Sequence, residues 1–293
     1  MDAVVSKSPV VSVLMTCYNR EKYIAEAIES VLSSAFKDFE LIISDDNSKD
    51  RSLEIATTYA AKDSRIRVYH NTENHGDYPH RNKIASYARG EFIMFCDSDD
   101  KFYPESIGYC VHAMRKFPEA SIGMCYLSND RGEEPFVMGS AEAIGQHFFS
   151  RPFLTIGPGG TIIRKAFFNK IGGYPEKYGP ANDMYFNLKA ASASPVVLLP
   201  WIFLYYRIHA EQEQNNVYGY MHFNYRYQAD ALKELELHIT GKEKRRLDLK
   251  NKRRFAVNFL RTFFIHGRPK KALSLWPKAQ FTIQDFLLGI FHF

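Results

Sequence analysis

The first half of the chain alternates short apolar runs with stretches of helical period. VVSVLMT (Val10 to Thr16), ELIIS (Glu40 to Ser44), IRVYH (Ile66 to His70), EFIMFC (Glu91 to Cys96) and SIGMCYL (Ser121 to Leu127) read as strands. Between the first two, Ile24, Ala27, Ile28, Val31 and Leu32 fall on one helical face, with Asn19 as its expected N-cap. Further helices are expected near Ser52 to Ala61, around Asn82 to Arg89, and from Pro104, which suits a first turn, to Lys116. Repeated strand, helix, strand units predict an α/β fold of Rossmann-like type, a mainly parallel sheet flanked by helices.

From Ser140 the regularity weakens into IGPGGTIIRK, GGYPEKYGPANDMYFNLKAA and the apolar PVVLLPWIFLYYRIH, read as the second half of the same domain and shaped for a second ligand. Beyond Asn215 the pattern is helical, basic and aromatic. The expected division is a catalytic domain over 1–214 and a helical extension over 215–293. Ligands of parallel sheets bind beyond the carboxyl ends of the strands. Three polar clusters fall there: TCYNR after the first strand, DDNSKD after the second and DSDD after the fourth.

Composition narrows the class. Apolar residues at 45% and charged residues at 24% describe an ordinary globular chain, which excludes disordered and fibrous types. The net charge of +5 is concentrated late, in KEKRRLDLKNKRR, so it belongs to one segment. No nucleic-acid fold motif accompanies that run, and nucleic acid is not an expected partner. Cys17, Cys96, Cys110 and Cys125 form no CxxC pair and lie in or beside apolar runs, as buried thiols in a reducing cytosol would. The run Val10 to Met15 is too short for a membrane span and reads as a strand, not a signal peptide. There is no P-loop, GxGxxG, GxSxG or HExxH.

DSDD, Asp97 to Asp100, sets three carboxylates in four residues at the end of an apolar run. Such a turn must lead into solvent or hold something positive. In the DxD spacing of Asp97 and Asp99, one carboxylate can serve a divalent cation and the other a sugar hydroxyl or metal-bound water. Magnesium and manganese take oxygen ligands and keep waters and ligand phosphates in their shell. The alternative is an acidic turn capping the helix near Pro104.

Each of the other candidates also has two readings. Asp46 in DDNSKD is a turn acid, or an acceptor for a ribose or base. Arg81 is a surface arginine, or a cation opening a helix whose free N–H groups suit anions. Asp183 is a first-turn acid favoured by the helix dipole, or a general base beside a mobile loop. His209 is a structural histidine, or a phosphate or metal contact.

The order of these stretches narrows the alternatives. VSVLMTCYNREKYIAEAIESVLSSAFKDFELIISDDNSKD, HRNKIASYARGEFIMFCDSDD, GGTIIRKAFFNKIGGY, the pair Asn182 and Asp183, and YYRIH resemble, in unbroken order over some two hundred and ten residues, a family 2 glycosyltransferase of the GT-A fold. The resemblance implies an inverting transferase that moves a sugar from a nucleotide-diphosphate donor, UDP-linked, to a glycan or lipid-linked hydroxyl, as in surface polysaccharide synthesis. Thr16 and Tyr18 match residues flanking the uridine, and Asp46 matches the acid on the base. Asp97 matches the ribose contact, with Ser98 beside it in the nucleotide-binding set, and Arg81 an arginine near the nucleotide. Asp99 matches the ligand of a divalent metal, Mn2+ or Mg2+, held by the diphosphate. Asp183 matches the base that deprotonates the acceptor, and His209 a histidine that contacts the diphosphate.

Two positions depart from the family pattern. Asn182 stands where an acid often precedes the base, and Asn47 where glycine is common. Asparagine tolerates the same left-handed turn, so the second departure leaves the turn intact.

Two other classes compete. One is a non-catalytic nucleotide-sugar binding or scaffolding protein of the same fold, against which the intact Asp46, Asp97, Asp99 and Asp183 argue. The other is a sugar-phosphate nucleotidyltransferase, which would carry a Gly-rich basic loop where this chain has TCYNR. In the tail, KRRFAVNFLRTFFIHG and FTIQDFLLGIFHF combine cations with Phe, Leu and Ile. They suit either peripheral contact with the cytoplasmic face of a membrane or packing of a small helical subdomain.

Overall fold

The computed structural model describes residues 8–126, 134–208 and 220–291. They divide into two compact units. The first takes in the described residues up to Gly139, with Ile156–Tyr174 and Ser194–Ile208; the second takes in Ser140–Thr155, Pro175–Ala193 and the described residues after Ile208.

The first unit is built on an eight-stranded sheet in the order β3-β2-β1-β4-β8-β6-β9-β7. Its strands are β1 (Val11–Cys17), β2 (Phe39–Asp45), β3 (Ile66–His70), β4 (Phe92–Phe95), β6 (Ile122–Cys125), β7 (Phe136–Met138), β8 (Thr161–Arg164) and β9 (Val196–Leu199). Strands β1 to β4 are mutually parallel, and only β8 and β7 run against the common direction. Unbroken apolar runs such as Leu41 to Ile43 belong to strands buried on both faces, as expected of a parallel sheet with helices on either side. Helix α1 (Ile24–Leu32) turns Ile24, Ala27, Ile28 and Val31 onto that sheet, one face at helical spacing. Asn19 is not its N-cap: it has φ 55°, and Tyr23 immediately precedes the helix.

Helices α2 (Ser52–Ala60) and α4 (Ser106–Lys116) lie close to their expected positions, but α3 (Asp77–Ser86) starts five residues before Asn82. Arg81 is therefore the fifth residue of α3, inside the helix and not at its open N-terminus. The short helix α6 (Lys165–Lys170) follows β8. Two-residue strands β5 (Lys101–Phe102) and β10 (Leu204–Tyr205) pair antiparallel and bring the chain after DSDD beside the segment LYYR.

At the start of β2, Glu40 is buried and accepts from Ser12 Oγ at 2.7 Å, Arg67 Nη1 at 2.9 Å and Arg89 N at 2.8 Å. Burial alone would raise this carboxyl; the hydrogen bonds from Ser12, Arg67 and Arg89 outweigh it and hold it below the ordinary glutamate range. Gly90 closes over the same place. A Cβ there would lie 2.5 Å from Ser12 N and 2.8 Å from Val11 C, both backbone atoms that cannot swing aside. Gly90→Ala is expected to cost about 1–3 kcal/mol by overpacking, read as a lowered Tm; an unchanged Tm would mean that the start of β1 yields freely.

The second unit is helical. It comprises α5 (Ser140–Phe149), α7 (Asn182–Ala193), α8 (Tyr220–Glu234), α9 (Gly241–Leu260), α10 (Pro269–Lys278) and α11 (Ile283–Phe291). Helix α9 opens with a capping box, Thr240 with Glu243, and Thr282 and Asp285 exchange the same pair of bonds at the start of α11. Much of the aromatic content of the tail turns inward: Tyr225, Phe255 and Phe281 form a core with Trp276 and Phe286 packed against it. Helices α9 and α11 approach closely at Gly289, where a Cβ would meet the Lys252 backbone at 2.8 Å.

Candidate active site

The chain steps outward from β1 through β2 to β3, then returns to lay β4 on the other side of β1. That reversal leaves a crevice at the carboxyl ends of β1 and β4, the usual ligand position in an open α/β sheet. Thr16 and Tyr18 stand at the end of β1, and Asp97, Ser98 and Asp99 follow β4. Ser98 Oγ donates to Thr16 O at 2.8 Å, and Thr16 Oγ1 reaches Asp97 Oδ1 at 3.5 Å, so the two strand ends are tied together. The Tyr18 ring is exposed.

Arg81 projects from α3 into this crevice. Its guanidinium grips Asp97 bidentately, Nη1 to Oδ1 at 2.7 Å and Nη2 to Oδ2 at 3.0 Å, while Nε donates to Asp77 Oδ1 at 2.7 Å. Burial alone would lower its pKa, but Asp77 and Asp97 outweigh that and raise it. Asp99 is engaged by Arg20, whose Nε donates to Oδ2 at 3.0 Å and whose Nη1 also reaches the Tyr18 carbonyl. Asp100 turns inward. Its Oδ1 accepts from Arg207 N at 3.0 Å, and Arg207 Nε donates to the Asp99 carbonyl. Burial first, then the Asp97 charge, pushes the Asp100 carboxyl up to about 7, with the Arg207 N–H opposing.

The DSDD turn thus meets three arginines. Arg20 and Arg207 were not singled out in the sequence, although each lies inside a motif that was, TCYNR and YYRIH. The signal that would have found them is charge balance, since three clustered carboxylates call for cations nearby.

Asp46 makes its hydrogen bonds elsewhere. Its buried carboxylate accepts from Asn71 Nδ2 at 2.8 Å, His75 N at 3.0 Å and Gly76 N at 3.1 Å. It anchors the loop that leads into α3, the helix that carries Arg81. The next residue, Asn47, has φ 64°, the left-handed conformation expected of a position where glycine is common. The nearby thiols offer no nucleophile: burial pushes Cys17 up to about 11 and Cys96 well above the ordinary range.

Asp183 belongs to the second unit, in the first turn of α7, where its Oδ1 accepts from Met184 N at 2.7 Å. Asn182 Oδ1 accepts from Tyr178 N at 2.9 Å and fixes the preceding loop. That loop reaches its helix through Gly179, at φ 51°, where a Cβ would strike the Phe223 ring at 2.5 Å. Tyr178 donates to Asp230 and Tyr185 to Glu234, each at 2.7 Å, so the loop before α7 and α7 itself are each bonded to α8 by a tyrosine–carboxylate pair. His209 lies outside the described residues.

The family model for glycosyl transferase family 2 matches residues 12–172, more than half of the chain. The chain belongs to that family. EpsH of Bacillus subtilis (strain 168), a presumed glycosyltransferase, is 43% identical over 109 residues, which are 37% of this chain and 30% of EpsH. The chain therefore matches under a third of that relative's length. Among solved structures, S. aureus TarS 1-349 in complex with UDP-GlcNAc has a TM-score of 0.71 at 21% identity, covering 92% of this chain and 80% of that one. The mannosyltransferase PcManGT from Pyrobaculum calidifontis, in complex with GDP-Man and Mn2+, has a TM-score of 0.64 at 14% identity, covering 97% and 79%. The fold is GT-A, with a mostly parallel sheet flanked by helices and a helical C-terminal region.

Among the described residues no group of three or more His, Cys, Asp and Glu is arranged to hold a metal ion. Both Asp97 oxygens are held by Arg81, so at the DSDD turn Asp99 is the carboxylate whose chemistry fits a hard cation, which would take its remaining positions from water and a ligand's phosphates.

Proposed function

We propose that this family 2 protein is an inverting glycosyltransferase. It moves a sugar from a nucleotide-diphosphate donor, UDP-linked, to a hydroxyl on a glycan or lipid-linked acceptor, in surface polysaccharide synthesis. The observation that carries the reading is the DSDD turn. Within the stretch matched by the family, it stands at the switch point of the sheet with Asp97 and Asp99 each held by an arginine.

The residues divide the work as follows. Tyr18 and Thr16 line the nucleoside, Asp97 with Ser98 meets the ribose, and Arg81 fixes Asp97 in place. Asp46 serves the base end by holding the loop from Asn71 to Gly76. His209 contacts the diphosphate. Asp99 would hold a divalent manganese or magnesium ion, which stabilises negative charge on the departing diphosphate when bound. Asp183 takes the acceptor proton as the hydroxyl attacks the anomeric carbon, which inverts that centre without a covalent intermediate. The catalytic machinery occupies residues 1–214. Among the described residues no helix is long and apolar enough to cross a membrane. A cytoplasmic protein whose 215–293 segment touches the membrane surface, where a lipid-linked acceptor is presented, completes the proposal.

The test is a thermal-shift panel of nucleoside diphosphates and their sugars, with and without manganese, on the wild type and Asp99→Ala. A ligand at a hundred times its Kd adds about 2.7 kcal/mol to the folded state. A manganese-dependent rise in Tm with UDP species, lost in Asp99→Ala, is expected. No rise with any nucleotide would overturn the donor-site reading.

A further inference from the structure

Helices α9 and α10 are joined by a π-helical turn, Arg261–Ile265, followed by His266 and by Gly267 at φ 59°. The turn is closed, not ragged: His266 N donates to Arg261 O at 2.9 Å, Arg268 N to Thr262 O at 3.0 Å and Thr262 Oγ1 to Asn258 O at 2.8 Å. Thr262 is buried on its inner side. Its outer side presents Phe264 at 71% and Ile265 at 74% exposure, two adjacent large apolar side chains on a fixed backbone. Helix α10 continues the same division, with Ala272 and Leu275 buried and Lys270, Lys271, Leu273 and Lys278 exposed.

Charge is just as one-sided. From Leu249 to Gln284 there are nine Lys and Arg (positions 250, 252, 253, 254, 261, 268, 270, 271 and 278) and no Asp or Glu. Lys252 is neutralised by Asp248 and Asp285, which lie just outside that stretch at either end. A soluble partner that is merely anionic would give Phe264 and Ile265 nothing to enter. An anionic bilayer satisfies both halves: the acyl boundary takes the apolar tip, and the headgroup phosphates meet the cations around it.

We infer that the α9–α10 turn is a membrane-docking tip, with Phe264 and Ile265 entering an anionic lipid surface and Arg268, Lys270 and Lys271 on its headgroups. This gives the membrane contact in the proposed function its residues. Donor binding is read separately, by thermal shift, so either idea can fail alone.

The experiment is flotation of the full chain with vesicles of phosphatidylcholine alone or of equal parts phosphatidylcholine and phosphatidylglycerol, at low and physiological salt. Binding to the anionic vesicles only, weakened by salt, is expected. Phe264→Ser with Ile265→Ser should weaken it at least about tenfold. Lys270→Gln with Lys271→Gln should weaken it by about fivefold per cation removed. All four side chains are exposed, and circular dichroism is the check that both variants fold. Absence of flotation with anionic vesicles at low salt overturns the inference. So does wild-type flotation by the Phe264/Ile265 variant, an outcome in which the cations alone carry the binding and the apolar tip does not enter the lipid.

Discussion

Asp183→Asn is expected to lower kcat by about 10²–10⁴-fold, the usual worth of a positioned general base, with donor binding unchanged. The substitution is nearly isosteric. An asparagine Oδ1 can still accept from Met184 N, the bond that Asp183 makes at 2.7 Å. Loss of a negative charge from the first turn of α7 removes a favourable interaction with the helix dipole of about 0.3–1 kcal/mol. That is too little to unfold the unit or explain a large loss of turnover. The neighbouring Asn182 stays in place on Tyr178 N, so the loop that delivers the helix is undisturbed. Turnover should be measured at saturating donor and acceptor, and donor affinity separately from the shift in Tm with UDP and manganese. Residual kcat within about threefold of wild type would assign the base elsewhere and return Asp183 to the role of a first-turn acid.

How much of this was legible in the sequence depended on how far each contact reaches along the chain. Strands β1, β2, β4 and β6 announce themselves because a buried sheet strand is a short apolar run bounded by polar residues, and the half-buried edge strand β3 does so by its β-branched and aromatic residues. Helix α3 did not, and its start was placed too late. Its buried face includes Tyr78, His80 and Arg81, so the polar positions that pair inside the site erase the apolar period. Strands β5 and β10, at two residues each, are too short to set any period, yet their pairing brings Arg207 to the DSDD turn. Arg20 and Asp99 are likewise 79 positions apart. The acids were readable as a cluster, but the cations that answer them were scattered by the fold. In the tail, composition allowed either packing or membrane contact. The inward Tyr225, Phe255 and Phe281 pack together, and the outward Phe264 and Ile265 are the residues on which the membrane proposal rests.

Arg81→Ala is expected to cost about 3 kcal/mol of stability, the low end of the range for breaking a buried ion pair from one side. The cost falls at the low end because the partner is not fully enclosed: Arg81 is 7% exposed, whereas the Asp97 side chain is 27% exposed and can recover some hydration. What makes the loss large is the company Asp97 keeps. Without the guanidinium, its carboxylate faces Asp99 and the inward Asp100 with one fewer cation among them. Arg81→Lys should fall between alanine and wild type, since an ammonium cannot span Asp77 and grip Asp97 with two parallel bonds. The double change Arg81→Ala with Asp97→Ala separates attraction from stranded charge. If the pair is coupled as drawn, the double variant should be more stable than the sum of the two single losses implies, by about 0.5–3 kcal/mol. Both series are read from thermal unfolding without ligand, then with UDP and manganese. Donor-induced stabilisation should vanish in every variant that loses either partner, because Asp97, the proposed ribose contact, is held in place by Arg81. A loss below about 1 kcal/mol for Arg81→Ala, in the range of an exposed pair, would mean that water replaces the guanidinium freely and that the crevice is wetter than its hydrogen bonds imply.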